Sequence, residues 1–224
     1  MDTANDLNLN KKTYGWTVRT VSALTSSLSV KIKLHHDGDQ VEQGQIFLFN
    51  HFARFETFIP QFLMHQKSGA YCRSIAAGEF FRGNDTFANY LRSVGAVPHD
   101  LPNLLPFLAE EILRGRKVII FPEGTRSLPG QPGTYQPGVA AIYKDADVPL
   151  IPVAVNSGSF WGRSGYMKYP GCIVMEVLPA IPQGLDRKTF MKELQSQVDG
   201  ASERLRLEGE AKYSLQPATE VQNK

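Results

Sequence analysis

The chain has 224 residues, 42% hydrophobic and 21% charged, with a formal net charge of +2. This is the composition of one globular domain with a sizeable core. So mild a charge, with no helix-turn-helix, zinc-finger or RRM pattern, excludes nucleic acid as a partner. Cys72 and Cys172 lie in separate apolar runs without CxxC spacing, as small core residues do, and not as metal ligands or a redox pair.

Residues 1–12 are polar and lack the apolar segment of a signal peptide, so they read as a disordered tail in a reducing, cytosolic setting. No apolar run approaches the roughly 18 residues that span a bilayer. Residues 13–28 read as an amphipathic helix: Tyr14, Val18, Val21, Leu24 and Leu28 recur at helical spacing, with Trp16 nearby and Lys11, Lys12 and Arg19 flanking. Such a helix packs on a core or lies in a lipid interface, and both readings stay open.

Val30–Leu34 alternates apolar residues with Lys31 and Lys33, the pattern of a half-exposed strand, and His35–Asp39 reads as a solvated turn. Ile46–Phe49 is a buried strand, 57–66 a helix, 70–76 a strand and 85–94 a short helix. A helix over 104–114 ends at Gly115, a C-cap signal. Strands follow at 118–121, 148–155 and 172–177. Helices occupy 138–146 and 186–207, and the tail beyond 212 reads as disordered.

Strands alternate with helices, and several strands are unbroken apolar runs. That combination predicts an α/β fold with a mostly parallel central sheet flanked by helices. The domain plan is an N-terminal tail and amphipathic helix at 1–28, one domain at 29–210 and a disordered tail at 211–224.

Two strands run directly into polar turns. After Phe49 come Asn50, His51, Arg54 and Glu56. After Phe121 come Pro122, Glu123, Gly124, Thr125, Arg126 and Ser127. A histidine near neutral pH can take a proton from a hydroxyl, and a carboxylate on its other ring nitrogen fixes the tautomer. Glycine admits a ligand close to backbone, and Arg126 offers a planar fork for phosphate or carboxylate. On a parallel sheet both turns fall beyond the carboxyl ends of strands, where ligands gather. The plainer alternative for the second turn is a surface Glu123–Arg126 pair. Phe80-Phe81, Phe160-Trp161, Tyr166 and Tyr169 read by default as core aromatics. The glycine-rich 160–169 stretch also suits a membrane interface.

Together these blocks resemble the glycerolipid acyltransferases of the 1-acylglycerol-3-phosphate type. Asn50-His51 with Glu56 resembles that family's NHX4D block, with Glu in place of Asp. Phe121–Ser127 matches its FPEGTRS block residue for residue, and Val148–Ala154 closely matches VPIIPVA. The resemblance implies an enzyme that moves a fatty acyl group from a thioester, acyl-CoA or acyl carrier protein, to a hydroxyl of a lyso-lipid. It implies no cofactor and no metal, and a location in the cytoplasm, peripheral to the inner face of the membrane. His51 would be the general base, oriented by Glu56. Glu123, Gly124, Thr125 and Arg126 would hold the acceptor's polar head. No G-x-S-x-G elbow accompanies them, so no covalent acyl-enzyme is expected.

The chain departs from the family at three positions. Ala77, Leu101 and Gln136 stand where a Lys, an Arg and a Lys are usual, removing three charges that a phosphate would face, with Arg73, Arg82 and Arg92 as possible replacements. Two alternatives follow: a non-phosphate acceptor such as a lyso-aminolipid, or a catalytically weak lipid-binding protein of the same fold.

Overall fold

The computed structural model of the chain describes residues 30–35, 46–52, 56, 71–82, 86–131, 133–146, 148–161 and 169–215, with isolated residues between 12 and 23. The apolar stripe Val18, Val21 and Leu24, the 36–39 turn, the expected helix at 57–66 and Tyr166 lie outside the described residues.

Among the described residues, seven strands form one sheet in the order β1-β7-β6-β2-β5-β3-β4. They are β1 (Val30–His35), β2 (Ile46–Phe49), β3 (Cys72–Ala76), β4 (Val97–Pro98), β5 (Lys117–Ile120), β6 (Leu150–Val155) and β7 (Gly171–Val177). Every pairing is parallel except β6 with β7. The helices are α1 (Thr86–Ser93), α2 (Leu104–Leu113), α3 (Gly138–Asp145) and α4 (Arg187–Tyr213). The expected α/β class and mostly parallel sheet are the observed ones.

The continuous apolar runs have the predicted cause. All of β2 is buried, and its alternate residues serve two cores. Phe47 and Phe49 join Ile119, Ile151, Val153 and Ile173 on one face. Ile46 and Leu48 join Val118, Leu150 and the helices on the other. α4 covers that second face with Phe190, Leu194, Val198, Ala201 and Leu205, at steps of three and four residues. Both cysteines are buried, as core residues.

Two expectations need correction, and the default core reading of Phe160 holds. The two-residue strand β4 was not foreseen; it pairs only Ile75 with Val97 and Ala76 with Pro98. α4 runs past Leu207, and past the expected domain end at 210, to Tyr213. Arg206 ties Glu203 and Glu210 along its last turns, and Tyr213 packs edge-on to buried Phe160 at 5.6 Å. Phe160 is therefore a core residue and not part of an exposed aromatic loop.

Because β2, β3, β4, β5 and β6 run in the same direction, their carboxyl ends share one edge. That edge carries Asn50-His51, the turn after Ala76, His99-Asp100, the 121–127 loop and the 3-10 turn Ser157–Ser159.

Candidate active site

β2 ends at Phe49, and Asn50 takes over its pairing to β6 with a side chain. Its Oδ1 accepts from Val155 N–H at 2.7 Å, and its Nδ2 donates to Val155 C=O at 3.0 Å. A further bond from Nδ2 reaches Ser202 Oγ on α4 at 3.1 Å. The amide thus imitates one more backbone residue and sets where the chain turns out of the sheet. His51 follows, with its ring 4.5 Å from that of Phe121.

His51 Nδ1 lies 2.8 Å from Glu56 Oε2. The histidine side chain keeps 15% exposure, within reach of a substrate, and the glutamate 1%. Glu56 is saturated with donors. Oε2 also accepts from Phe52 N–H at 2.7 Å, and Oε1 accepts from the hydroxyl of Ser157. In the tautomer whose Nδ1–H donates to Glu56, Nε2 presents its lone pair toward the open side. The expected His51–Glu56 pair is therefore assembled.

The 121–127 loop grips the same histidine by its backbone. Glu123 Oε1 accepts from His51 N–H at 2.9 Å, and Ser127 N–H donates to His51 C=O at 2.7 Å. Glu123 is buried, and its Oε2 has no partner among the described residues. Burial pushes its carboxyl up to about 8, with the charges of Glu56 and Asp199 adding to the rise and the His51 N–H opposing it. Burial likewise raises Asp199, which accepts from Tyr135 OH at 3.1 Å. Glu123 and Asp199 line one small cleft with Asn50, Phe52, Ser127 and Ser202.

The four loop residues expected to hold an acceptor head are thus divided. Glu123 points inward onto the His51 backbone. Gly124 and Thr125 are exposed and Arg126 is half-buried. Gly124 has φ +66°, the left-handed conformation that favours glycine, and a Cβ there would meet Gln136 Cγ at 3.0 Å.

Of the replacement cations, Arg73 is buried and pairs with Glu111. Arg92 donates to Phe81 C=O and, at 3.2 Å, to Asn89. Arg82 is 75% exposed and 3.7 Å from Asp100. Sequence reasoning missed Asn156 and Ser157, and named Asn50 only as the head of a block. Asn156-Ser157-Gly158-Ser159 follows a buried strand, the same pattern that marked the other two turns.

The chain matches the family model Acyltransferase over residues 31–156. It is 32% identical over 145 residues to a protein of Pseudomonas aeruginosa named 1-acyl-sn-glycerol-3-phosphate acyltransferase, covering 62% of this chain and 55% of that relative. The chain thus spans about half that relative's length. In fold it resembles the crystal structure of the 1-acyl-sn-glycerophosphate acyltransferase PlsC from Thermotoga maritima. That match has a TM-score of 0.66 and 18% identity, over 86% of this chain and 80% of that one.

Proposed function

The chain belongs to the acyltransferase family, and on that premise we propose that it transfers a fatty acyl group from a thioester, acyl-CoA or acyl carrier protein, to a hydroxyl of a lyso-lipid such as 1-acylglycerol-3-phosphate. His51 Nε2 takes the hydroxyl proton as the oxygen attacks the thioester carbonyl. The C–O bond forms, the C–S bond breaks, and His51 returns the proton to the departing thiolate. Glu56 holds the Nδ1 proton and stabilises the imidazolium between these steps. Glu123 serves by fixing the His51 backbone, while Gly124, Thr125 and Arg126 face the acceptor.

The observation that carries this reading is the 2.8 Å His51–Glu56 pair, with a partly exposed imidazole and a saturated, buried carboxylate. This arrangement supports the enzyme reading over that of a protein that only binds lipid. We place the work at a membrane surface because a lyso-lipid acceptor resides there; among the described residues no helix is long and apolar enough to cross a membrane.

The test is thiol release from palmitoyl-CoA and from palmitoyl-acyl carrier protein, with lysophosphatidic acid and zwitterionic lyso-lipids as acceptors. His51→Ala should lower the rate at least about 10²-fold, the lower end of what a positioned base contributes. Its melting temperature should barely change, since the ring fills no core. Full turnover by His51→Ala would remove the mechanism.

The acceptor has a second reading. Ala77, Leu101 and Gln136 place no positive charge at the reacting edge, which favours a less anionic lyso-lipid, such as a lyso-aminolipid.

A further inference from the structure

We infer that Ser157 is a positioning residue for His51, acting through Glu56, and that its hydroxyl is what allows glutamate to serve in this relay. The inference rests on the base role proposed for His51 but concerns a different residue, on a different strand exit.

A glutamate must be pinned at both oxygens to hold an imidazole in one orientation, because it has one more rotatable bond than aspartate. Here Oε2 meets His51 and the Phe52 N–H, both a few residues away. Among the described residues, only Ser157 supplies a side-chain bond to Oε1 from a distant part of the chain. Without it, a buried carboxylate oxygen loses its donor and the carboxyl is free to rotate away from His51.

Ser157 is itself firmly held. It is buried in the 3-10 turn that ends β6, and its C=O accepts from Phe160 N–H at 3.0 Å and Trp161 N–H at 2.8 Å. Its neighbour Asn156 accepts from Val174 N–H at 2.8 Å and donates to Leu205 C=O at 3.2 Å, tying the turn to β7 and α4. The relay therefore runs from the sheet and α4 through Ser157 and Glu56 to His51. Ser157 is fully buried, so its hydroxyl meets no substrate directly and acts through Glu56.

The test is Ser157→Ala in the full chain, alone and with Glu56→Asp, assayed with palmitoyl-CoA and the acceptor that wild type uses fastest. Ser157→Ala should lower kcat about tenfold or more with KM unchanged, the lower range for losing a hydrogen bond to a charged group. The acid limb of its pH–rate profile should move to lower pH, because a carboxylate free to rotate away no longer stabilises the His51 imidazolium. In the Glu56→Asp background the shorter carboxylate cannot span Ser157 and His51. Adding Ser157→Ala there should cost less than about twofold, a marked non-additivity.

The low-field proton resonance of His51 Nδ1–H reads the pair without turnover, and it should shift in Ser157→Ala. Unchanged kcat, acid limb and resonance in Ser157→Ala would overturn the inference even if His51→Ala is inactive. An active His51→Ala would instead remove the base role while the resonance still reported on Ser157.

Discussion

Glu56 and Glu123 flank one histidine and are held in opposite ways. Glu56 accepts from a ring nitrogen, a backbone N–H and a hydroxyl. Glu123 has one N–H on Oε1 and none on Oε2 among the described residues, beside a second acidic group, Asp199. Burial therefore wins at Glu123, and its proton is retained until about pH 8. A neutral Glu123 adds no second negative charge beside the imidazole.

The linkage sign follows. Unfolded, the group titrates near its ordinary value of 4.5, and folded near 8. Between those values the unfolded chain binds fewer protons than the fold, so Glu123 lowers stability progressively as pH rises through that window. Glu123→Gln keeps an oxygen for the His51 N–H and never ionises. The melting temperature of the variant minus that of wild type should therefore grow from about pH 5 to about pH 8. A difference that stays flat across that range would show that Glu123 ionises normally.

At the scale of elements, the long apolar runs were legible because burial on both faces of a parallel sheet leaves a continuous signature, as in β2 and β6. β4 left none, since two residues carry no period, and its place is set by its neighbour β3. The end of α4 was hidden for another reason. Its last turns are polar, held by Arg206 ion pairs within the helix and by Tyr213 against Phe160, a contact across the fold that no local pattern announces. His51 and Glu56 were legible because they stand five positions apart, whereas the Glu56–Ser157 bond joins residues 101 positions apart.

The N-terminal segment yields the prediction proper to this scale. Residues 12, 16, 19 and 23 are helical and exposed, at steps of four and three, so one outward face presents Lys12, Trp16 and Arg19. Trp16 is 61% exposed, which suits an indole at a lipid interface better than one in a core. Anionic vesicles should sediment the full chain. Deletion of residues 1–28 should weaken that binding without unfolding the sheet, and salt should weaken it in the full chain, since part of the attraction is Coulombic. Equal sedimentation of full and shortened chains would place the membrane-binding surface elsewhere.

Across the whole molecule, the reacting edge is the set of strand exits from β2 to β4. In the order β2-β5-β3-β4 these span three strand spacings, roughly 14 Å. His51 stands at one end, the 121–127 loop beside it, Ala77 after β3, and Leu101 shortly after β4. Gln136 packs against Gly124 on the loop itself. The three uncharged departures therefore lie along the same edge as the base, where the head of an acceptor would rest. The fold also decides between the replacement cations. Arg73 is committed to Glu111 inside the protein and Arg92 to the Phe81 carbonyl, which leaves Arg82, exposed and loosely paired, beside the half-buried Arg126 of the loop. A phosphate monoester carries between one and two negative charges and needs several charge-assisted partners. Removing one such partner costs about 1.5–3 kcal/mol, or roughly tenfold or more in affinity. On the second reading of the acceptor, lysophosphatidic acid should thus be a poorer acceptor than a zwitterionic lyso-lipid, compared by kcat/KM at a fixed donor concentration. Restoring the charges with Ala77→Lys, Leu101→Arg and Gln136→Lys should raise kcat/KM for lysophosphatidic acid and leave the zwitterionic acceptor nearly unchanged. A wild-type preference for lysophosphatidic acid over every other acceptor would sink the idea. If Arg82→Ala then abolished that preference, the missing charges would have passed to Arg82.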